Sequence, residues 1–212
     1  MVENPRKMCQ YIQDLFGQCN SEDGIFKLYE HNENIPIGNN VDVIIDVFNL
    51  SSGLKIALNT AYSMIKETMA DENHYENTSE IIKEIINYVK VIVDEQDELL
   101  IVDSDLTLTA LLKITNVHFQ LSDDSILERL CDYMLIKSRY CKTKLFVFIN
   151  LKTILTRNEL INLYDYTSYN KINILLIEGH DSEILNHEYV TILDYDLCEI
   201  HKPACDGKLF GV

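Results

Sequence analysis

The chain has 212 residues, 47% of them apolar, and a formal net charge of -16. That length can bury one good core, or one core with an appended lobe, while the charge weighs against generic nucleic-acid affinity, because phosphates repel such a surface. No apolar run reaches the roughly 18 residues of a membrane span, the opening MVENPRKM has no signal-peptide apolar region, and six scattered cysteines without a C-x-x-C pair fit no zinc ribbon or disulfide framework. The chain reads as cytoplasmic, with reduced thiols.

In chain order, Asn4 caps a first helix with Pro5 at its favoured first position, and Met8, Ile12, Leu15 and Phe16 recur at helical spacing until Gly17–Gly24 ends it. Ile25–Glu30 alternates as a strand, HNEN turns, and VDVIIDVF (Val41–Phe48) is a β-branched run of the kind buried in a parallel sheet. Ser51 or Ser52 caps the next helix, whose stripe is Leu54, Leu58, Ala61, Ile65 and Met69. After the polar turn Asp71–Ser79, Glu80–Asp97 carries a wide apolar stripe that should pack antiparallel on the helix before it. A short helix ends near Lys113, NVHFQL is extended, and Ser122 starts a helix with Asp123 and Asp124 in its first turn.

The best-marked unit is Lys142–Gly179, in which strand KLFVFIN and strand KINILLIEG flank a helix that opens on the capping box Thr156–Glu159. Glu188–Ile200 supplies a last edge strand, and the tail beyond Ile200 carries Pro and Gly. Strands at both ends and helices between, with no linker, indicate an α/β core made of residues 1–60 and 141–212 with a helical lobe, 61–140, inserted in it.

The charge is polarised. From Tyr133 to Asn158 there is no acidic residue, and Lys137, Arg139, Lys142, Lys144, Lys152 and Arg157 give that window +6. These six are the candidate DNA contacts. Acids crowd elsewhere: Asp94, Glu95, Asp97, Glu98, Asp103 and Asp105 crowd the junction between the helical lobe and the core, with Asp123, Asp124 and Glu128 close behind in sequence. Clustered carboxylates on a link can hold Ca2+ without an EF-hand, since calcium takes six to eight oxygens in irregular geometry.

Catalytic signatures are sparse. There is no G-x-x-x-x-G-K-[ST] and no G-x-G-x-x-G. The strands ending at Asp46 and Asn150 resemble the apolar strand that carries the magnesium-binding acid of P-loop nucleotidases, but the second ends in an amide. No serine or cysteine sits in a nucleophile elbow. The rival reading is a metal-dependent nuclease or degenerate nucleotidase using Asp46 with Asp103 or Asp105.

The segments VENPRKMCQYIQDL, VDVIIDVFNLSSGLKIALNTAY, KLFVFINLKTILTRNELINLYDYTSYNKINILLIEG and ILDYDLCEI, in that order and spacing, resemble the Csn-two family, the small adaptation protein of type II-A CRISPR systems. The resemblance spans residues 2–200. It implies an ABC-ATPase-like parallel-sheet head without a working P-loop, bearing an inserted α-helical leg, and no catalysis. It further implies a calcium-assisted homotetrameric ring that takes linear double-stranded DNA through a lysine-lined hole during spacer acquisition, alongside the integrase pair and the effector nuclease, away from any membrane. Matched helix for helix, Lys137, Arg139, Lys142 and Lys144 fall in the family's basic return from leg to core, and Glu98, Asp103, Asp105, Asp124 and Glu128 near its calcium region. Family members usually begin with further strands before the segment that opens this chain; either the start of this sequence is misassigned, it is trimmed, or the head sheet is smaller.

Overall fold

The computed structural model describes residues 1–20, 23–96 and 99–202. It divides into two compact units, Met1–Leu54 with Leu121–Val212, and Lys55–Gln120. The division lies earlier at both ends than the expected 60/61 and 140/141, which moves one whole helix, Ile126–Cys141, into the sheet unit.

The sheet unit holds a three-stranded parallel sheet. Its strands β3 (Val41–Ile44), β4 (Leu145–Ile149) and β5 (Asn173–Ile177) lie in that order, with Val41 opposite Leu145 and Leu145 opposite Asn173. Helix α1 (Pro5–Cys19) starts where expected, because the Asn4 side chain accepts from the backbone N–H groups of Arg6 and Lys7. It runs on through Gly17, a position where nothing crowds. Its Met8 and Leu15 form a core with Val41, Val147 and Ile149. Strand alternation turns Phe146 and Phe148, both fully buried, to the opposite face.

That opposite face takes α6 (Ile126–Cys141) and α7 (Arg157–Asn170). The Tyr133 hydroxyl of α6 donates at 2.7 Å to Asp42 of β3, which is in register with Phe146 of β4, and Leu130 and Met134 are fully buried. These contacts are why α6 belongs with the sheet and not with the helical lobe. The start of α6 is Ser125, which caps Glu128 N–H, rather than Ser122. Ser122 instead gives both its N–H and its hydroxyl to Asp132, at 2.8 and 2.7 Å. In α7 the Thr156–Glu159 capping box is present in both directions.

Ile25–Glu30 is a strand only from Leu28, and it turns at His31 and Asn32 into a hairpin of β1 (Leu28–Glu30) and β2 (Glu33–Ile35). A four-residue helix, α2 (Ile37–Asn40), leads into β3. The expected single edge strand near the C-terminal end is a second hairpin, β6 (Val190–Leu193) with β7 (Glu199–Lys202). Asp194 makes its turn by accepting from the N–H groups of Asp196 and Cys198.

The second unit is helical: α3 (Lys55–Met69), α4 (Tyr75–Asp94) and α5 (Leu108–Ile114). Asp71 organises the α3–α4 turn by accepting from the N–H groups of Asn73 and His74, Tyr62 donates to the Val117 carbonyl, and Thr107 caps α5. The wide stripe expected to pack against α3 is largely uncovered. Of it only Ile86 is buried, whereas Ile81, Ile85, Val89 and Ile92 are 38–50% exposed. Among the described residues no helix is long and apolar enough to cross a membrane.

Candidate nucleic-acid interface

The acid-free window is continuous in sequence, but folding splits its six cations into two kinds. Lys137 lies on the buried side of α6, 3.3 Å from the Asp42 carboxylate and 6.0 Å from the centre of the Tyr133 ring. Its side chain is only 11% exposed. Burial, then the Asp42 charge, push the Tyr133 phenol far above its ordinary range, so the hydroxyl stays a donor. Lys144 hydrogen-bonds Glu30 across to the first hairpin and holds that carboxyl below its usual range.

Lys152 sits in the turn after β4, and its side chain is 9% exposed. Its ammonium reaches the Glu188 carboxylate at 2.8 Å and the Glu183 carbonyl at 2.9 Å. Glu188 also accepts from the Tyr164 hydroxyl at 2.6 Å and from Leu185 N–H at 3.2 Å. Arg157, exposed, pairs with Glu183 at 3.2 Å. Acids from distant parts of the chain therefore offset four of the six charges.

Arg139 and Lys142 are different. Both are exposed, and no carboxylate among the described residues pairs with either. They close α6: Arg139 stands in the last turn, and Lys142 is the left-handed C-cap at φ 58°, its N–H donating to the Lys137 carbonyl. A cation at a helix C-terminus is favoured by the carbonyls left unpaired there.

Of the expected calcium ligands, Glu98 lies outside the described residues. Asp103 accepts from Asp105 N–H at 3.2 Å in an exposed turn of the helical unit. Asp124 and Glu128 are exposed at the start of α6 in the sheet unit. Among the described residues no three carboxylate, histidine or cysteine groups come together as a metal site requires. The described acids do not fit a calcium cage by themselves.

The strand ends also have local duties. Asp46 accepts from Phe48 N–H at 2.9 Å in its own turn. Asn150, left-handed at φ 54°, takes Gly179 N–H on its amide oxygen at 3.0 Å while its own N–H donates to Ile177. The amide thus ties the ends of β4 and β5, where a nucleotidase would carry an acid. Sequence reading missed Glu188, Tyr164, Glu178 and Asp42. No signal could have found them, since each partner lies 24 to 91 residues away. Glu178 is buried, accepts from Lys152 N–H at 3.1 Å, and burial raises its pKa.

Comparison with known proteins gives a consistent picture. Residues 18–197 match the family model described as CRISPR-associated protein (Cas_Csn2). A CRISPR-associated protein Csn2 of Enterococcus faecalis is 22% identical over 146 residues, covering 69% of this chain and 64% of that relative, so the chain spans about two thirds of its length. In fold, the chain is similar to the crystal structure of Stu0660 of Streptococcus thermophilus, with a TM-score of 0.56 and 14% identity, over 96% of this chain and 70% of that one.

Proposed function

The chain belongs to the family of CRISPR-associated Csn2 proteins, and from that premise we propose that it serves spacer acquisition as a non-catalytic, ring-forming protein that holds linear double-stranded DNA. One observation carries the DNA contact: Arg139 and Lys142 end α6 as exposed cations without acidic partners among the described residues. Lys137, Lys144, Lys152 and Arg157 act behind them as structural cations. An acidic subunit can still take DNA if a homotetramer gathers several copies of this helix end around one passage, because the summed field and not the net charge meets the phosphates. The uncovered stripe Ile81, Ile85, Val89 and Ile92 supports self-assembly, since contiguous exposed apolar surface marks interaction sites. Phosphate contacts of this sort position DNA without reading its sequence.

The tie between Asn150 and Gly179 supports reading the sheet as a nucleotidase-like core put to a scaffolding use. The integrase pair and the effector nuclease are the partners this role requires. Calcium assistance is part of the proposal only as an arm of its test, and the nuclease alternative with Asp46 and Asp103 or Asp105 has no supporting observation.

The test is fluorescence anisotropy with a linear duplex across a salt series, paired with mass measurement by light scattering with and without calcium. Tetrameric protein that binds duplex with a steep salt dependence is expected. The double variant Arg139→Glu, Lys142→Glu should weaken binding by more than about tenfold and flatten the log–log salt slope by roughly 2 for each subunit whose helix end meets the duplex. A monomer indifferent to duplex, or a double variant that binds as the parent does, refutes the reading. Sustained cleavage of the duplex with magnesium or manganese, lost on Asp46→Ala, would replace it by the nuclease.

A further inference from the structure

Helices α6 and α7 lie side by side on one face of the sheet, tied by the Tyr166 hydroxyl, which donates to the Cys131 carbonyl at 3.3 Å. Both end in the same way. Lys142 closes α6 at φ 58° and Lys171 closes α7 at φ 56°, each left-handed, with its N–H turned back on the end of its helix. The chain then enters a strand, β4 at Leu145 and β5 at Asn173, and these two residues are register partners in the parallel sheet. The two lysines therefore leave their helices at one end of the sheet, the amino end of its strands. The Asn173 side chain links the two exits by donating to the Lys144 carbonyl at 3.0 Å.

Left-handed backbone disfavours a residue with a Cβ, and the position that follows a helix is most often glycine. Asn and His tolerate it best among the other residues. Of the eight described non-glycine residues at positive φ, five are Asn or His, and the exceptions are Lys142, Lys171 and Leu197. Two consecutive helices thus place a lysine where glycine would suit the backbone better, which points to a use for the side chain.

Lys171 is exposed, and no carboxylate among the described residues pairs with it. It falls outside the acid-free window because Glu159 and Asp165 precede it in sequence. A helix rises 1.5 Å per residue, however, so those acids lie roughly 18 and 9 Å back along α7. Glu30 and Asp42, which do come to this end of the sheet, are matched by Lys144 and Lys137. Packed helices have axes about 8–10 Å apart, close to the axial span of about three phosphates of one DNA strand at ~3.4 Å each.

We propose that Lys171 is a third phosphate contact, and that the ledge made by the ends of α6 and α7 is the face each subunit turns to duplex DNA. The assignment rests on the DNA reading above and adds to it a residue from a second helix and an orientation, with the amino end of the parallel sheet toward the duplex backbone. Arg139, Lys142 and Lys171 sit on two helix ends fixed by one strand register, so they meet phosphates as a preset row.

The test is duplex anisotropy across a salt series on the full chain carrying Lys171→Gly or Lys171→Arg, with Arg6→Gln, at an exposed cation of α1 on the other face of the sheet, as control. Glycine accepts the left-handed backbone, so Lys171→Gly should melt close to the parent, the relieved backbone offsetting the freer unfolded chain. It should weaken duplex binding about five- to tenfold at ~0.1 M salt and flatten the log–log slope by about 0.9 for each subunit whose ledge meets the duplex. Lys171→Arg and Arg6→Gln should bind as the parent does. Parent-like binding by Lys171→Gly, beside weakened binding by the Arg139→Glu, Lys142→Glu double variant, overturns this assignment and leaves the DNA reading standing; parent-like binding by both removes the two together. A loss with Lys171→Arg equal to that with Lys171→Gly, or a loss as large with Arg6→Gln, would also overturn it.

Discussion

Consider replacing Glu188 by alanine. The carboxylate is nearly enclosed, 11% exposed, beside a lysine side chain 9% exposed. Removing it takes an acceptor from three donors, Lys152 Nζ, Tyr164 Oη and Leu185 N. Lys152 keeps only the Glu183 carbonyl, and a buried ammonium without its counter-ion costs about 3–5 kcal/mol. For a chain of this size that corresponds to a melting temperature lower by roughly 10 °C. Lys152→Met should cost a similar amount by stranding the carboxylate, while Lys152→Met with Glu188→Ala should recover on the order of 2 kcal/mol relative to the sum of the singles. Urea titrations followed by circular dichroism measure all three. A loss below about 1 kcal/mol for Glu188→Ala, or strictly additive singles, refutes the buried-pair account. The same proteins bear on function: Lys152→Met should leave duplex affinity unchanged, and a tenfold loss there would return Lys152 to the DNA-binding set.

Four further outcomes follow from the geometry. A Cβ on Gly53 would stand 2.4 Å from the Tyr133 hydroxyl, which Asp42 holds in place, so Gly53→Ala should destabilise by about 1–3 kcal/mol and Tyr133→Phe should relieve part of it, both read in thermal melts. Thr156→Ala removes the α7 cap and should cost about 1 kcal/mol in the same assay. Hydrogen bonds from Thr156 lower the Glu159 pKa, so this support is complete above the ordinary glutamate value and fades as pH falls through the depressed one; Glu159→Gln should flatten that acid limb. Glu178 has the opposite sign. Burial raises its pKa, the native state holds the proton longer, and stability falls as pH rises from the ordinary value to the raised one, a slope that Glu178→Gln should remove in pH-dependent unfolding.

Much of the fold was legible because its signals are local. The Asn4 cap with Pro5, the Thr156–Glu159 box and the apolar run at Leu145 each declare themselves within a few residues and form as read, while the β-branched run Val41–Phe48 is a strand only as far as Ile44. The helix at Ile126 was assigned to the wrong lobe because its allegiance rests on Tyr133 meeting Asp42, 91 residues away. Ser122 looked like its cap, yet Asp132 claims that side chain and Ser125 takes the role. The stripe on α4 has true helical periodicity, but periodicity says only that a face is apolar, not what covers it.

The candidate site shows the same division. By itself the sequence determined a capped strand–helix–strand unit, the lack of a phosphate-cradling loop and a window of six cations without an acid. Only the tertiary structure decided which of those cations face solvent. Glu30, Asp42, Glu183 and Glu188 arrive from other elements and bind Lys144, Lys137, Arg157 and Lys152 in turn, leaving Arg139 and Lys142 at the end of α6. The physical reason is that caps and periodicities are set by neighbours along the chain, whereas the free charge of a side chain depends on which distant carboxylate the fold brings within about 4 Å of it.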